Sequence, residues 1–312
     1  MLLATRGSPL ALRQSETVAA LLRAAHPGLD VELSVVRTRG DQDASTPLDQ
    51  IGGQGVFVTE VETAVADGRA DAAVHSAKDM PSVMGPSLVF GAVPPRADPR
   101  DALVGCRLAE LPAGALIATG SARRRAQLAY LRPDLVFRDL RGNMARRVAA
   151  AGVGGVTAVV VAVAAMERLG WLDQVTDILD PVDLLPQAGQ GAIAVQCRAD
   201  DERTRTLLSA IDHEATHRAV RAERAVLAAL GGSCTVPVGA LAEEIPATGS
   251  ATPALRVSGL VASADGHTMI RLSREGDDPE AVGTAVARAL LDGGGALIEG
   301  FDAGPVGSGA GR

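Results

Sequence analysis

The first two thirds of the chain alternate short apolar runs with longer stretches whose apolar residues recur at helical spacing. The pattern predicts helices over residues 10–25 and 56–67, and strands at 2–5, 31–36, 72–74, 116–119, 136–137, 159–163 and 193–197. Strands that alternate with helices favour α/β domains built on doubly wound sheets. Ligands of such domains bind beyond the carboxyl ends of the strands.

The last third has a different pattern, in which strand-like stretches at 254–261 and 268–272 precede a helix over 279–291. This pattern predicts a small α+β domain. A charged, proline-rich crossing over 94–101 predicts a hinge earlier in the chain. We therefore expect three domains and a Gly- and Ser-rich disordered tail, with these bounds: 1–95 with 190–213, 100–188, 216–301, and the tail 302–312.

Composition narrows the class of protein. Of the 312 residues 47% are hydrophobic but only 2% are aromatic, so aliphatic side chains must form the cores. A net charge of −7 argues against a general nucleic-acid-binding protein, whose surface is basic. We find neither the ~18 uncharged apolar residues of a membrane span nor a signal peptide. Three cysteines without metal-ligand spacing predict a cytoplasmic protein with free thiols: Cys106, Cys197 and Cys234.

Lys78 is the only lysine among 30 basic residues, and it precedes Asp79 just after the apolar run 72–74. Lysine is a compact point charge whose pKa moves readily on burial, whereas arginine is a planar fork of donors. Position 78 therefore needs something that arginine does not supply, unless it is merely a lysine on a solvated turn.

Arginines recur where the predicted strands lead into helices. Ser8 is a candidate N-cap with Pro9 behind it, and Ser121 is a candidate cap before a run of three arginines. Arginines in a first helical turn oppose the helix dipole, so we expect an anion there to offset both. Because the guanidinium pairs with carboxylates in bidentate fashion, the set predicts a ligand with several carboxylates. The arginines concerned are Arg6, Arg123, Arg124, Arg125, Arg141, Arg146, Arg147 and Arg168.

Two further patterns carry possible chemistry. His213 to His217 spells H-E-x-x-H, which binds zinc in metalloproteases, but the flanking residues look like a solvated helix face and no third ligand follows. Cys234 lies in a glycine-rich loop and is the candidate for covalent chemistry, whereas Cys106, between Val104 and Leu108, and Cys197, at the end of an apolar run, are expected to be core residues.

Several ordered motifs together resemble the porphobilinogen deaminase family, also called hydroxymethylbilane synthase. The resemblance extends to about residue 300. It is carried by A-T-R-x-S-P-L-A-L from Ala4, A-A-V-H-S-x-K-D ending at Asp79, D-P-R-D-A from Asp98, G-S-x-R-R from Gly120, L-R-G-N from Leu140, G-Q-G-A from Gly189, and Cys234 before V-P-V-G.

The resemblance implies a fold of two doubly wound α/β domains like the lobes of periplasmic binding proteins, plus the small C-terminal α+β domain. It implies a transferase of haem biosynthesis that adds four porphobilinogens to a dipyrromethane cofactor and releases the linear tetrapyrrole. A thioether would join this cofactor to Cys234. We also expect a monomer that passes its product to uroporphyrinogen III synthase.

Roles follow for individual residues. The resemblance implies that Asp79 stabilises positive charge developing on pyrrole nitrogens, and that Lys78 pairs with a cofactor carboxylate. It implies cofactor contacts from Ser121, Arg123 and Arg124, substrate contacts from Arg6, Ser8, Arg141, Arg147 and Arg168, and no metal. The sequence departs from the family where a lid over 38–55 and the helix behind it usually carry lysine: Gln54 and Thr59 are neutral.

Two alternatives remain open at this point. A non-catalytic, two-lobed anion-binding protein would share the predicted architecture. A zinc hydrolase would use His213 and His217.

Overall fold

The computed structural model describes residues 1–38, 58–231, 236–245 and 253–298. The expected lid from residue 39 onward, the loop that contains Cys234, and the predicted tail 302–312 lie outside the described residues.

The first sheet has strand order β2-β1-β3-β10-β4. β1 pairs in parallel with β2 and β3, whereas β10 returns antiparallel to β3 and β4. The helices α1 (Pro9–Ala25) and α2 (Thr59–Ala66) connect its first strands. Its strands are β1 (Leu2–Arg6), β2 (Glu32–Val36), β3 (Ala72–Ser76), β4 (Leu88–Ala92) and β10 (Ile193–Arg198).

The second sheet has order β7-β6-β8-β5-β9, with β6 parallel to β7 and β8, and β5 antiparallel to β8 and β9. Its helices are α3 (Ala122–Leu131), α4 (Met144–Val148) and α5 (Val163–Leu169). Its strands are β5 (Asp101–Val104), β6 (Leu116–Ala118), β7 (Val136–Arg138), β8 (Val156–Ala162) and β9 (Asp177–Ile178).

The C-terminal part is an antiparallel sheet in the order β11-β12-β13 with helices α7 and α8 packed together on it. Helix α6 (Glu202–Ser209) packs on β4 and β10 instead. The fold is therefore α/β with a small third domain, as predicted. The remaining bounds are α7 (Glu214–Ala229), α8 (Pro279–Asp292), β11 (Val238–Ile245), β12 (Ala254–Ala262) and β13 (Met269–Gly276).

Aliphatic side chains form each core. Leu3 of β1 and Leu22 of α1 are fully buried on the first sheet, and Val226 of α7 and Leu290 of α8 are fully buried against the third. With few aromatic rings, these cores depend on many small close contacts, each of which adds little by itself.

Two segments add to or differ from the predicted bounds. The H-E-x-x-H motif lies at a helix start, because α6 ends at Ser209 and α7 begins at Glu214. His213 is the N-cap of α7, and Thr216 donates its backbone N–H to the imidazole. Val163 begins α5 and does not end the preceding strand.

The turn after Gln187 packs closely against the backbone at Lys78 and against the crossing over 94–101. Gly189 has φ +74°, and a Cβ there would lie 2.9 Å from the backbone nitrogen of Lys78. Gly191 has φ +85°, and a Cβ would lie 2.5 Å from the carbonyl oxygen of Ala97. Glycine is needed at both positions because each combines a left-handed backbone with a close backbone neighbour.

Candidate active site

Lys78 lies just beyond the carboxyl end of β3, in the short 3₁₀ turn Ala77–Asp79. Its ammonium donates to Gln190 Oε1 at 3.2 Å. Burial lowers the pKa of Lys78 to about 8, although the charges of Asp79 and Asp101 raise it in part. Lys78 is therefore no lysine on a solvated turn, because it is half-buried and surrounded by charged groups.

Asp79 is exposed at the same turn. No hydrogen bond to its carboxylate is found within the part of the chain that the structure describes. Its charge reaches both Lys78 and Arg147, and raises the pKa of each against the effect of burial. A carboxylate that lies beside cations, but accepts no hydrogen bond among the described residues, can stabilise positive charge on a bound molecule.

Arg123 and Arg124 are buried in the first turn of α3 and share the fully buried carboxylate of Asp101. Arg123 Nη2 donates to Asp101 Oδ2 at 2.8 Å, and Arg124 Nη2 to Asp101 Oδ1 at 2.6 Å. Burial alone would raise the pKa of Asp101, but the two guanidiniums outweigh it and hold the pKa well below its usual range. A protein carboxylate therefore already lies at this helix start, in addition to any ligand anion expected there.

The pairing does not use every donor. Arg123 Nη1 donates to the carbonyl of Leu185 at 2.6 Å and Arg124 Nη1 to that of Val160 at 2.9 Å. Arg123 Nε is buried and has no hydrogen-bond partner in the described structure. Both side chains are thus held in place before any ligand arrives.

Arg147 extends this group of charges. Its Nε donates to the carbonyl of Gly142 at 2.8 Å, and burial with the charges of Arg124 and Arg141 lowers its pKa, while Asp79 raises it. We call the following six residues the cationic cluster: Lys78, Asp79, Asp101, Arg123, Arg124 and Arg147. Four cations meet two carboxylates there, which leaves net positive charge among the described side chains.

The other predicted site residues lie around the cluster. Ser8 and Ser121 are N-caps of α1 and α3, as expected, and accept hydrogen bonds from the backbone of Ala11 and Arg124. Arg6 ends β1 and is close enough to His75 to lower the pKa of that buried imidazole.

Arg168 stands apart from the cluster. It lines a groove between α1 and α5 together with Arg13 and Glu167. Its Nη2 donates to the carbonyl of Gly191 at 2.7 Å, and burial lowers its pKa to about 10. The structure therefore groups Arg147 with the cluster, and leaves Arg168 outside it.

The H-E-x-x-H histidines lie at the start of α7, and each pairs with a protein group through Nδ1. His213 Nδ1 is hydrogen-bonded to Thr216 at 2.8 Å, and His217 Nδ1 pairs with Asp212 at 2.9 Å. No group of three potential metal ligands occurs in the described ranges. The zinc-hydrolase alternative therefore loses its structural basis.

Two cysteines lie within the described chain. Cys197 is buried in β10, and burial raises the pKa of its thiol to about 11, which makes it a poor nucleophile. Cys106 is partly buried. Neither contradicts the choice of Cys234, which lies outside the described residues. Of the two positions where the family usually has lysine, Gln54 also lies outside them, and Thr59 is the first residue of α2.

Sequence reasoning missed the parts that Asp101 and Gln190 play. Both occur in motifs that carried the family resemblance, but neither was predicted to touch the site. Gln190 is fully buried and lies between Lys78 and Asp101. A buried aspartate and glutamine next to a hinge give no local signal, because their partners lie 22 to 112 residues away along the chain.

The sequence matches two family models. The one described as "Porphobilinogen deaminase, dipyromethane cofactor binding domain" matches residues 1–206, which contain the whole cationic cluster. The chain belongs to the porphobilinogen deaminase family. A second model, "Porphobilinogen deaminase, C-terminal domain", matches residues 217–292. The chain is accordingly a transferase of the hydroxymethylbilane synthase type, and the cofactor of its family is dipyrromethane.

Curated relatives agree over nearly the full length. Porphobilinogen deaminase of Syntrophobacter fumaroxidans is 45% identical over 93% of this chain and 94% of its own. That of Roseiflexus sp. strain RS-1 is 46% identical over 96% and 99%.

Solved structures give weaker similarity. The methionine-binding protein MetQ covers 70% of this chain and 91% of its own length at a TM-score of 0.40 and 12% identity. The VFT2 domain of Bordetella pertussis BvgS covers 67% and 84%, with a TM-score of 0.40 and 18% identity. Scores this low support no argument about function. In the described ranges, no helix has the length and apolar character to cross a membrane.

Proposed function

We propose that the cationic cluster is the active site at which this chain condenses four porphobilinogens into hydroxymethylbilane with loss of ammonia. The observation that supports it best is the position of Asp79. It is an exposed carboxylate beside Lys78 and Arg147 at the end of β3, with no described hydrogen bond of its own. A substrate held by the surrounding cations would bring its pyrrole N–H groups to a waiting anion.

The charge of the cluster fits a dipyrromethane cofactor. Its two pyrroles carry four carboxylates between them, and the cluster has an excess of cations even after Asp101 is counted. We propose that Lys78, Ser121, Arg123 and Arg124 hold this cofactor, and that it is attached to Cys234.

The substrate side of the mechanism needs three contributions. We propose that Arg6, Ser8, Arg141, Arg147 and Arg168 orient the acetate and propionate groups of porphobilinogen. The cofactor, when bound, supplies the nucleophilic free α-carbon. Asp79 stabilises the cation that develops on the substrate pyrrole as ammonia leaves and again before the proton is lost. Since this charge exists only on the way to product, the contact accelerates the reaction without tightening substrate binding.

The domain bounds are part of this proposal. We propose that 1–95 with 190–213, 100–188 and 216–301 form the three domains. Supporting observations are that β10 completes the first sheet, that β5 to β9 form the second, and that β11 to β13 pair only with one another in the described structure. The cluster then draws Lys78 and Asp79 from the first domain and the paired arginines from the second.

We also propose a cytoplasmic monomer that passes its product to uroporphyrinogen III synthase. Light scattering of the purified chain tests the monomer, because a dimer at micromolar concentration contradicts it.

Intact mass spectrometry tests the cofactor and the function together. Protein from a host that makes porphobilinogen is expected to carry an adduct of two pyrrole units, which Cys234→Ser abolishes. Cys106→Ser is the matched control and is expected to keep the adduct, because it changes a partly buried thiol just after β5. A wild-type mass equal to the bare polypeptide contradicts the proposal and favours a non-catalytic anion-binding protein.

A further inference from the structure

Gln190 joins the two halves of the cationic cluster. Its Oε1 accepts from Lys78 Nζ at 3.2 Å, while its Nε2 donates to Asp101 Oδ1 at 2.9 Å and to the carbonyl of Pro99 at 2.7 Å. The side chain is fully buried. One amide therefore touches the turn after β3, the first residue of β5 and the crossing between them.

The partners of this amide fix its orientation. An ammonium can only donate and a carboxylate only accept, so the oxygen must face Lys78 and the nitrogen must face Asp101. Reversing the amide would place an NH₂ against the ammonium and an oxygen against the carboxylate. Gln190 thus links a cation to an anion while carrying no charge itself.

The backbone under this side chain is also fixed. The carbonyl of Gln190 accepts from Arg96 Nε at 2.9 Å, and Gly189 N donates to the buried carboxylate of Glu223 at 2.6 Å. Because the turn cannot shift, the length of the glutamine side chain sets where Lys78 and Asp101 lie relative to each other.

We propose that Gln190 is a positioning residue that holds the Lys78 ammonium at a fixed place relative to Asp101 and, through Asp101, to Arg123 and Arg124. The contact matters to the reaction because Lys78 and the arginine pair approach the cofactor from different sheets. This part of the inference rests on the role of Lys78 under Proposed function. The groups that act on Lys78 electrostatically are Asp79, Asp101, Arg123 and Arg124.

The single lysine makes the contact directly measurable. Labelling the holoenzyme with ¹³C,¹⁵N-lysine gives one side-chain signal, that of Lys78, whose pKa is read by NMR titration. Gln190→Met removes the acceptor at nearly constant volume, so the pKa of Lys78 falls below the wild-type value. Gln190→Glu puts an oxygen against Asp101 in place of the amide donor, but its negative charge beside the ammonium raises the pKa of Lys78. Effects of opposite sign distinguish positioning from a loss of packing, which would act the same way in both variants.

Gln196→Met is the matched control. Gln196 is also fully buried and hydrogen-bonded, but it donates to Glu62 at 2.8 Å and does not touch Lys78. It is expected to lower the melting temperature about as much as Gln190→Met while leaving the Lys78 signal at its wild-type position. An unchanged Lys78 signal in Gln190→Met overturns the proposal.

Kinetics separate this inference from the proposed function. In Gln190→Met we expect kcat/KM per cofactor-loaded enzyme to fall by roughly tenfold or more, since a hydrogen bond to a charged group is lost. A displaced Lys78 signal with wild-type kcat/KM would support the contact and overturn the role of Lys78 in binding the cofactor.

Discussion

Asp101 and Glu223 are both fully buried carboxylates, yet their surroundings differ in charge. Glu223 accepts from one cation, Arg96 at 2.6 and 3.1 Å, and from the backbone N–H groups of Gly189 and Ala242 at 2.6 and 2.9 Å. Asp101 accepts from two arginines and lies beside Lys78 as well. At Glu223 the single carboxylate is balanced by one cation and its oxygens are filled, whereas around Asp101 the cations outnumber the carboxylates.

The difference separates a structural site from a binding site. A balanced ion pair whose acceptors are all filled has no charge left to attract a ligand. Glu223 instead joins Arg96 of the crossing, the turn at Gly189 and strand β11. An unbalanced group stays favourable only if further anions arrive, because buried like charges repel. Surplus charge, rather than burial or hydrogen-bond count, marks the candidate active site.

The largest effect is expected from Asp101→Asn. Removing the shared carboxylate leaves two buried arginines without their counterion, which typically costs about 3–5 kcal/mol. Urea unfolding at neutral pH measures the free energy of unfolding. A loss below about 1 kcal/mol would mean that Asp101 does not hold the arginines, and the comparison would fail.

Asp79→Asn is expected to act on the reaction and not on the fold. Removing one electrostatic partner of the transition state costs on the order of 100- to 1000-fold in kcat, or ~3–4 kcal/mol. The melting temperature should stay near wild type, because the side chain is exposed and lacks a described hydrogen bond.

Steady-state kinetics beside thermal unfolding distinguish these effects, with the exposed Asp67→Asn as the control. A kcat above about a tenth of wild type rules out the role assigned to Asp79.

Glu223→Gln tests the balanced site. It retains an acceptor but removes the charge opposite Arg96, so we expect a loss of about 1–3 kcal/mol in the free energy of unfolding. The intact-mass adduct and kcat per loaded enzyme should persist. If the variant instead lost the adduct while still folded, the two buried carboxylates would not divide into a structural and a binding site.

The smallest effect concerns His75, a buried group for which the described residues supply no counterion. The electrostatic neighbours identified for it are the neutral amide of Gln196 and the cation Arg6, and burial lowers the pKa of His75 to about 4 from 6.5. Between these pH values His75 binds more protons in the unfolded chain than in the folded chain. Its effect is therefore to decrease the free energy of unfolding as the pH falls.

When the pH is lowered from about 7.5 to 5.5, the free energy of unfolding of His75→Leu should fall by about 1 kcal/mol less than that of the wild type. Urea unfolding at both pH values measures it, and His75→Met checks that the effect follows loss of the imidazole. Equal losses in wild type and variants would mean that His75 takes up its proton in the folded chain as readily as in the unfolded one.

The sequence by itself determined the local features. Alternating strands and helices predicted the α/β class, the cap residues Ser8 and Ser121 were confirmed, and the lone lysine directed attention to the end of β3. These features depend on residues within a few positions of one another, so periodicity and capping rules reach them.

Only the tertiary structure decided which charges meet. It paired Arg123 and Arg124 with a protein carboxylate that the sequence pattern did not predict, and placed His213 at the N-cap of α7. It also placed Gln190 against Lys78, 112 residues away along the chain. Such contacts form only when segments far apart in the sequence meet at one edge of a sheet. Burial there makes an unpaired charge costly, and residues that are neighbours in sequence give no sign of either effect.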